Sequence, residues 1–149
     1  MMISMSVRAA LAAATLVAGA DPALAQTAVR PKPYEVEWVY RVKYGYQDEW
    51  WRLFQTYQIA ALDREQQLGY VLGYTVTKPG LHVSEDSRWD YRVVIDYPNP
   101  DAASHEDEVL NALFPDAAAR RTAENRRWEL TLNHWDLPIH QIDPHKPAE

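Results

Sequence analysis

Two stretches of strict alternation limit what this chain can fold into. Over residues 36–44, Val36, Trp38, Tyr40, Val42 and Tyr44 alternate with Glu37, Val39, Arg41 and Lys43. Over residues 89–97, Trp89, Tyr91, Val93, Ile95 and Tyr97 alternate with Asp90, Arg92, Val94 and Asp96. A period of two sends successive side chains to opposite sides of a strand. Each stretch therefore reads as a strand with one aromatic face and one mostly charged face. The aromatic faces need a cover, and the segments between the strands must supply it.

Gly45 ends the first strand, and Asp48 is placed to cap a helix over residues 49–68. Trp50, Leu53, Phe54, Tyr57, Ala60, Ala61 and Leu68 form a stripe at helical spacing. Gly69 stands where a left-handed C-terminal residue is expected. A second strand follows over residues 70–78, with Leu72, Tyr74 and Val76 on one face. Pro79-Gly80 breaks it, and residues 81–88 form a polar loop. Pro98-Asn99-Pro100 stops the third strand, because proline cannot donate to a ladder. Ser104 is placed to cap a helix over residues 105–113, with Asp107 three positions on. Pro115 interrupts, and a longer helix is expected over residues 116–132. Residues 137–143 read as a short last strand, in which Pro138 suggests a sheet edge.

The order β-α-β-β-α-β predicts an α+β, ferredoxin-like fold: a four-stranded antiparallel sheet with two helices on one face. The first and third strands are then central neighbours. Trp38, Tyr40, Tyr91 and Val93 lie under the helices, and Glu37, Arg41, Lys43, Asp90, Arg92 and Asp96 lie on the other side. Set against a second copy, that other side would line a closed eight-stranded barrel with polar contents.

The ends carry a different pattern. Arg8 precedes the uncharged run of residues 9–20, and Ala23-Leu24-Ala25 supplies an A-x-A site. That is the form of a secretory signal over residues 1–25, cut before Gln26. The run is shorter than the roughly 20 residues a bilayer span needs, so no membrane segment is expected after cleavage. The expected location is periplasmic or secreted. Residues 26–33 read as a flexible lead-in, residues 34–143 as the folded domain and residues 144–149 as a disordered tail. The chain has no cysteine, which excludes disulfides, thiolate metal sites, a Cys nucleophile and a lipoprotein anchor. Its formal charge of −6 speaks against a nucleic-acid partner.

Candidate chemistry falls into three groups. Six Trp, nine Tyr and two Phe are more aromatic mass than a core built only for stability favours. Trp38, Tyr40, Tyr44, Trp50, Phe54, Tyr57, Tyr74, Trp89 and Tyr91 are expected largely to meet between sheet and helices, either as a packed core or around a ligand cavity. Among His82, His105, His134, His140 and His145, no pair has metal-binding helical spacing, so no metal and no cofactor is expected. His134 stands out because Asp136 is placed to hold its imidazole in one tautomer. Arg41 and Arg92, with Asp90 or Glu37 as acid or base, form either an anion clamp or a salt-bridge ladder on the polar sheet face. Arg120, Arg121, Arg126 and Arg127 interleave with Glu124 and Glu129 and read as a solvated helix face. Glycine-rich phosphate loops and a nucleophile elbow are absent from the sequence.

Several segments carry a family likeness: Val42-Lys43-Tyr44-Gly45, the pair Trp50 and Trp51, Gly69 to Tyr74, Trp89-Asp90-Tyr91, and Arg126-Arg127-Trp128-Glu129-Leu130 leading to Trp135. In these the chain resembles the dimeric α+β barrel proteins, and among them small uncharacterised exported members. The resemblance implies a homodimer closed through the open sheet face. Its superfamily spans cofactor-free monooxygenases, isomerases, haem-degrading enzymes, peroxidases and binding proteins, so it selects no reaction. The expectation is a domain that binds a small hydrophobic or aromatic molecule, with Tyr40, Trp50, Tyr57, Tyr74, Tyr91 and His134 as pocket residues. One alternative is a cofactor-independent monooxygenase- or isomerase-like enzyme in which Tyr40, Trp50, Tyr74, Tyr91 and His134 position substrate. Another is a non-catalytic structural or assembly module.

Overall fold

The computed structural model describes residues 32–81 and 83–147. The stretch expected to be an export signal, most of the expected lead-in, His82 and the last two residues lie outside the described residues. Strand β1 (Tyr34–Val42) is followed by helix α1 (Gln47–Phe54), a π turn (Gln55–Ile59) and helix α2 (Ala60–Leu68). Then come β2 (Gly73–Thr77), β3 (Tyr91–Tyr97), α3 (Glu106–Leu113), α4 (Ala117–Leu130) and β4 (Thr131–Ile139). All pairings are antiparallel, in the order β2-β3-β1-β4.

The register brings the two alternating strands together as their periodicity requires. Trp38 pairs with Val93 and Tyr40 with Tyr91, so the aromatic faces coincide. Tyr74 and Val76 of β2 join that face opposite Ile95 and Val93. The helices cover it, and Tyr40, Val42, Trp50, Phe54, Leu62, Val93, Ile95 and Leu130 form the main core. A smaller cluster of Ala61, Val109 and Leu110 joins α2 to α3, with Tyr57, Tyr70 and Phe114 packed on it.

Several boundaries differ from the sequence reading, each for a local reason. β1 stops at Val42, so Tyr44 is exposed instead of joining the aromatic layer; the Arg88 guanidinium lies 5.8 Å from its ring centre. Asp48 sits inside the first helical turn, where its charge favours the helix N-terminus, while Tyr46 occupies the cap position without a side-chain bond. Ser104 donates to the Asp101 carbonyl; Asn99 Oδ1 instead accepts from the Ala102 amide at 3.0 Å and starts a 3₁₀ turn. Gly69 ends α2 at φ 83°, the left-handed geometry expected of it.

The largest difference is β4. It begins at Thr131, directly after α4, and not at residue 137. Pairing with β1 overrides helix propensity here: Val42 is opposite Thr131, and Tyr40 opposite His134. Thr131 Oγ1 also accepts from Trp50 Nε1 at 2.9 Å, which anchors the strand start under the core. β4 is an edge strand, where Pro138 leaves no ladder bond missing.

Trp50 is fully buried between Tyr40, Phe54 and Tyr91 and holds Thr131. Trp50→Ala should therefore destabilise the domain by about 3–5 kcal/mol, measured as a shift in the urea unfolding midpoint. A loss below about 1 kcal/mol would mean that the indole does not join sheet to helix.

Candidate functional site

The aromatic layer is close-packed at its centre. Trp50 lies 4.8 Å from Tyr40, 4.9 Å from Phe54 and 4.8 Å from Tyr91, centre to centre. The Tyr91 hydroxyl donates to the Gln47 carbonyl at 3.2 Å, and Tyr74 donates to Asp63 at 2.6 Å. Burial and the neighbouring carboxylates push both phenols up to about 12. Two concavities among the described residues lie elsewhere: one beside the chain ends around Glu35 and His140, the other between α2 and α3. The layer is a packed core at this depth, and Trp50 has no surface to offer a ligand. Two other expected pocket residues stand apart. Tyr57 packs on Phe114 in the second cluster, and the Tyr74 hydroxyl is engaged with Asp63 on α2. Trp89 precedes β3, and the Arg92 guanidinium stacks 4.6 Å over its ring.

At the β4 edge the stack ends in a polar group. His134 lies flat on Tyr40, 4.1 Å between ring centres and 7° between planes. Its Nδ1 is 3.0 Å from the Val39 carbonyl oxygen, and its Nε2 is 2.9 Å from Asp136 Oδ1. His134 and Asp136 are two residues apart on one strand, so they share a face, and the strand geometry makes the pair. Trp128 leans on His134 from α4 at 5.3 Å while leaving 46% of itself exposed. Tyr40, His134, Asp136 and Trp128 thus meet where β4 runs beside α4.

Reading the sequence missed a set of buried polar residues. Arg127, assigned above to a solvated face, is 5% exposed. It follows Ala123 and precedes Leu130 at spacings of four and three, which is the inward stripe of α4. Its neighbours on the chain behave as expected: Arg126 pairs with Glu49 at 2.7 Å and with Glu129 at 3.1 Å. Glu65 is 1% exposed, and Gln58, in the π turn, is also buried. Both fall on the core-facing stripe of the helix with Phe54, Ala61 and Leu62, a spacing visible in the sequence. One side-chain oxygen of each lacks a hydrogen-bond partner. π turns recur at functional positions.

These groups act on one another. Burial, then the nearby Glu106, pushes the Glu65 carboxyl up to about 7. Burial also raises Glu106, against the opposing pull of Arg127. Tyr40 and Tyr97 are raised by burial; Arg127 counters this at Tyr40, whereas Glu65 adds to it at Tyr97.

The opposite sheet face differs from the charged surface expected of it. Arg92 pairs with Glu37 at 3.0 Å, and Arg41 is bound by Glu85 from the hairpin loop. Asp90 accepts from the Val42 amide at 2.8 Å and pairs with Arg88 at 3.5 Å, closing the end of the β1–β3 ladder. Neither arginine is left free as a clamp, nor Asp90 as a base. Alongside them run Val39, Val94, Trp135, Leu137 and Ile139, an apolar band contributed largely by the early start of β4. Trp135 is 37% exposed and Leu137 46%.

Comparison with known proteins adds the architecture. No family model matches the sequence, and no curated protein is significantly similar to it. A protein from an uncultured marine organism, described as a dimeric ferredoxin-like protein, superposes with a TM-score of 0.51 at 7% identity. The match covers 78% of this chain and 96% of that one. The fold is ferredoxin-like. This ferredoxin-like domain also matches a protein from Arabidopsis thaliana (TM-score 0.49, 7% identity, 74% and 97% covered). A protein from Pseudomonas aeruginosa matches at TM-score 0.49 and 10% identity, covering 76% and 98%.

The Glu65 carboxyl titrates near 7 in the folded chain, above the ordinary 4.5. A raised acid favours the folded state when protonated. Its contribution is therefore complete below about pH 4.5 and is lost as the pH rises through 7. The loss from this group reaches about 3 kcal/mol, at 1.36 kcal/mol per unit. Glu65→Gln should flatten the fall in stability between pH 5 and pH 8, read from urea unfolding at each pH. Parallel pH profiles for the two proteins would contradict the assignment.

Proposed function

We propose that this protein is an exported, homodimeric domain that binds a small hydrophobic or aromatic molecule at the α4–β4 edge, through a mouth bounded by Trp128, His134 and Asp136. The observation that carries the reading is the His134 ring, stacked on Tyr40 and held by Asp136 at 2.9 Å beneath the half-exposed Trp128. An indole with an open face gives a flat molecule something to stack on. A fixed imidazole beside it gives an orienting polar contact. The reading moves the ligand outward from the centre of the aromatic layer, which is filled, to its edge.

Pairing of two copies rests on the apolar band of Val39, Val94, Trp135, Leu137 and Ile139, which in one chain leaves large side chains in water. The marine protein of like fold is described as dimeric. Location in the periplasm or outside the cell rests on residues 1–25 alone. A second reading, a cofactor-independent enzyme, rests on the His134–Asp136 pair; both ring nitrogens are engaged, so the imidazole serves as acid or base only once its Val39 or Asp136 contact opens.

Native mass spectrometry of protein recovered from the periplasm of an expressing bacterium tests these points together. The expected species is a dimer of chains beginning at Gln26 that carries a small molecule. An unprocessed monomer without added mass would defeat the reading. The dimer surface has its own check: Trp135→Glu combined with Leu137→Glu should convert the protein to a monomer in light scattering. Persistence of the dimer would mean that the copies meet elsewhere.

A further inference from the structure

We propose that the molecule taken up at the α4–β4 mouth carries a single carboxylate, which Arg127 receives. This inference rests on the binding reading above and adds the chemical class of the ligand.

Arg127 is held in an unusual state. The residue is 5% exposed, and its Nε and Nη1 have no hydrogen-bond partner among the described residues. The ion pairs among the described residues engage Arg41, Arg88, Arg92, Arg126, Lys146, His105 and His134, and none engages Arg127. Rings surround it instead: Trp128 at 4.8 Å, and Tyr40 and Phe54 each at 5.9 Å. A ring near a guanidinium offsets part of the buried charge, but it accepts no in-plane hydrogen bond. The Tyr40 hydroxyl and Glu106 answer part of the charge, while Nε and Nη1 stay unmatched. Buried donors without acceptors are costly, and an anion supplied from outside would remove that cost.

The surroundings select the anion. Trp128, half exposed beside His134, gives an aryl or hydrophobic body a surface to rest on while its acid group reaches past it to the guanidinium. Arg127 is the one buried cation among the described residues, and Glu106 and Asp136 both act electrostatically on the same region. A dianionic phosphate would meet one positive charge and two acidic side chains. A monoanionic carboxylate meets the charge with less repulsion, and guanidinium recognises carboxylates by in-plane hydrogen bonds.

The test uses the full mature protein and three probes, benzoate, benzyl alcohol and acetate, by calorimetry and by the fluorescence of Trp128. Benzoate should bind at least about tenfold more tightly than benzyl alcohol, the scale of a charged hydrogen bond. Arg127→Gln should abolish that preference, and Arg127→Lys should keep part of it. Equal binding of benzoate and benzyl alcohol would overturn the carboxylate inference and leave the aromatic reading standing. Acetate binding with neither aromatic probe would overturn the aromatic reading and keep Arg127 as an anion site. Binding of none of the three would overturn both. If Arg127→Gln does not fold, the comparison of probes on the unaltered protein still decides.

Discussion

The antiparallel pairing of β1 with β3 carries the rest of the structure. It sets Tyr40 against Tyr91 and Trp38 against Val93, so two separately patterned strands present one continuous aromatic surface. Trp50 lies over that surface and reaches Thr131, tying the first helix, the central strands and the start of β4 together. Shifting that register by one residue would turn every ring to the charged side and strip the helices of their footing. The position of the site depends on the same pairing, because β4 is laid down against β1, and His134 comes to rest on Tyr40.

A second theme is the burial of polar groups where apolar ones would have been more stable. Glu65, Gln58 and Arg127 all occupy inward positions on helical stripes that otherwise hold Phe54, Ala61, Leu62, Ala123 and Leu130. Each brings at least one unmatched hydrogen-bonding atom into the interior. At Arg127 and Trp128 the usual order is inverted: the charged side chain goes in, and the indole stays half out. Stability alone does not select such an arrangement.

How much of this could be read in advance depends on the range of the forces involved. The strand faces, the Gly69 helix end and the β-α-β-β-α-β order were legible because period and backbone conformation are local properties. The start of β4 was not. Residues 131–136 carry no breaker, and only their pairing with β1 makes them extended. Asp90 illustrates the same limit. It looked like a free acid on a polar face, yet it serves to close a ladder end with Val42 and Arg88. Glu65 and Arg127 were present in the helical stripes but were passed over, since charge at a single position is ordinarily a sign of solvent.

The amino-acid sequence by itself determined the α+β architecture, because alternation and helical spacing are written into neighbouring residues and need no partner to be recognised. It also singled out His134 with Asp136, a contact made within one strand. Only the tertiary structure decided that the aromatic layer is filled, that an apolar band runs along the outer face of β4, and that Arg127 points inward among rings. Those outcomes depend on which side of one element another comes to rest, which is a matter of packing between residues far apart in the chain.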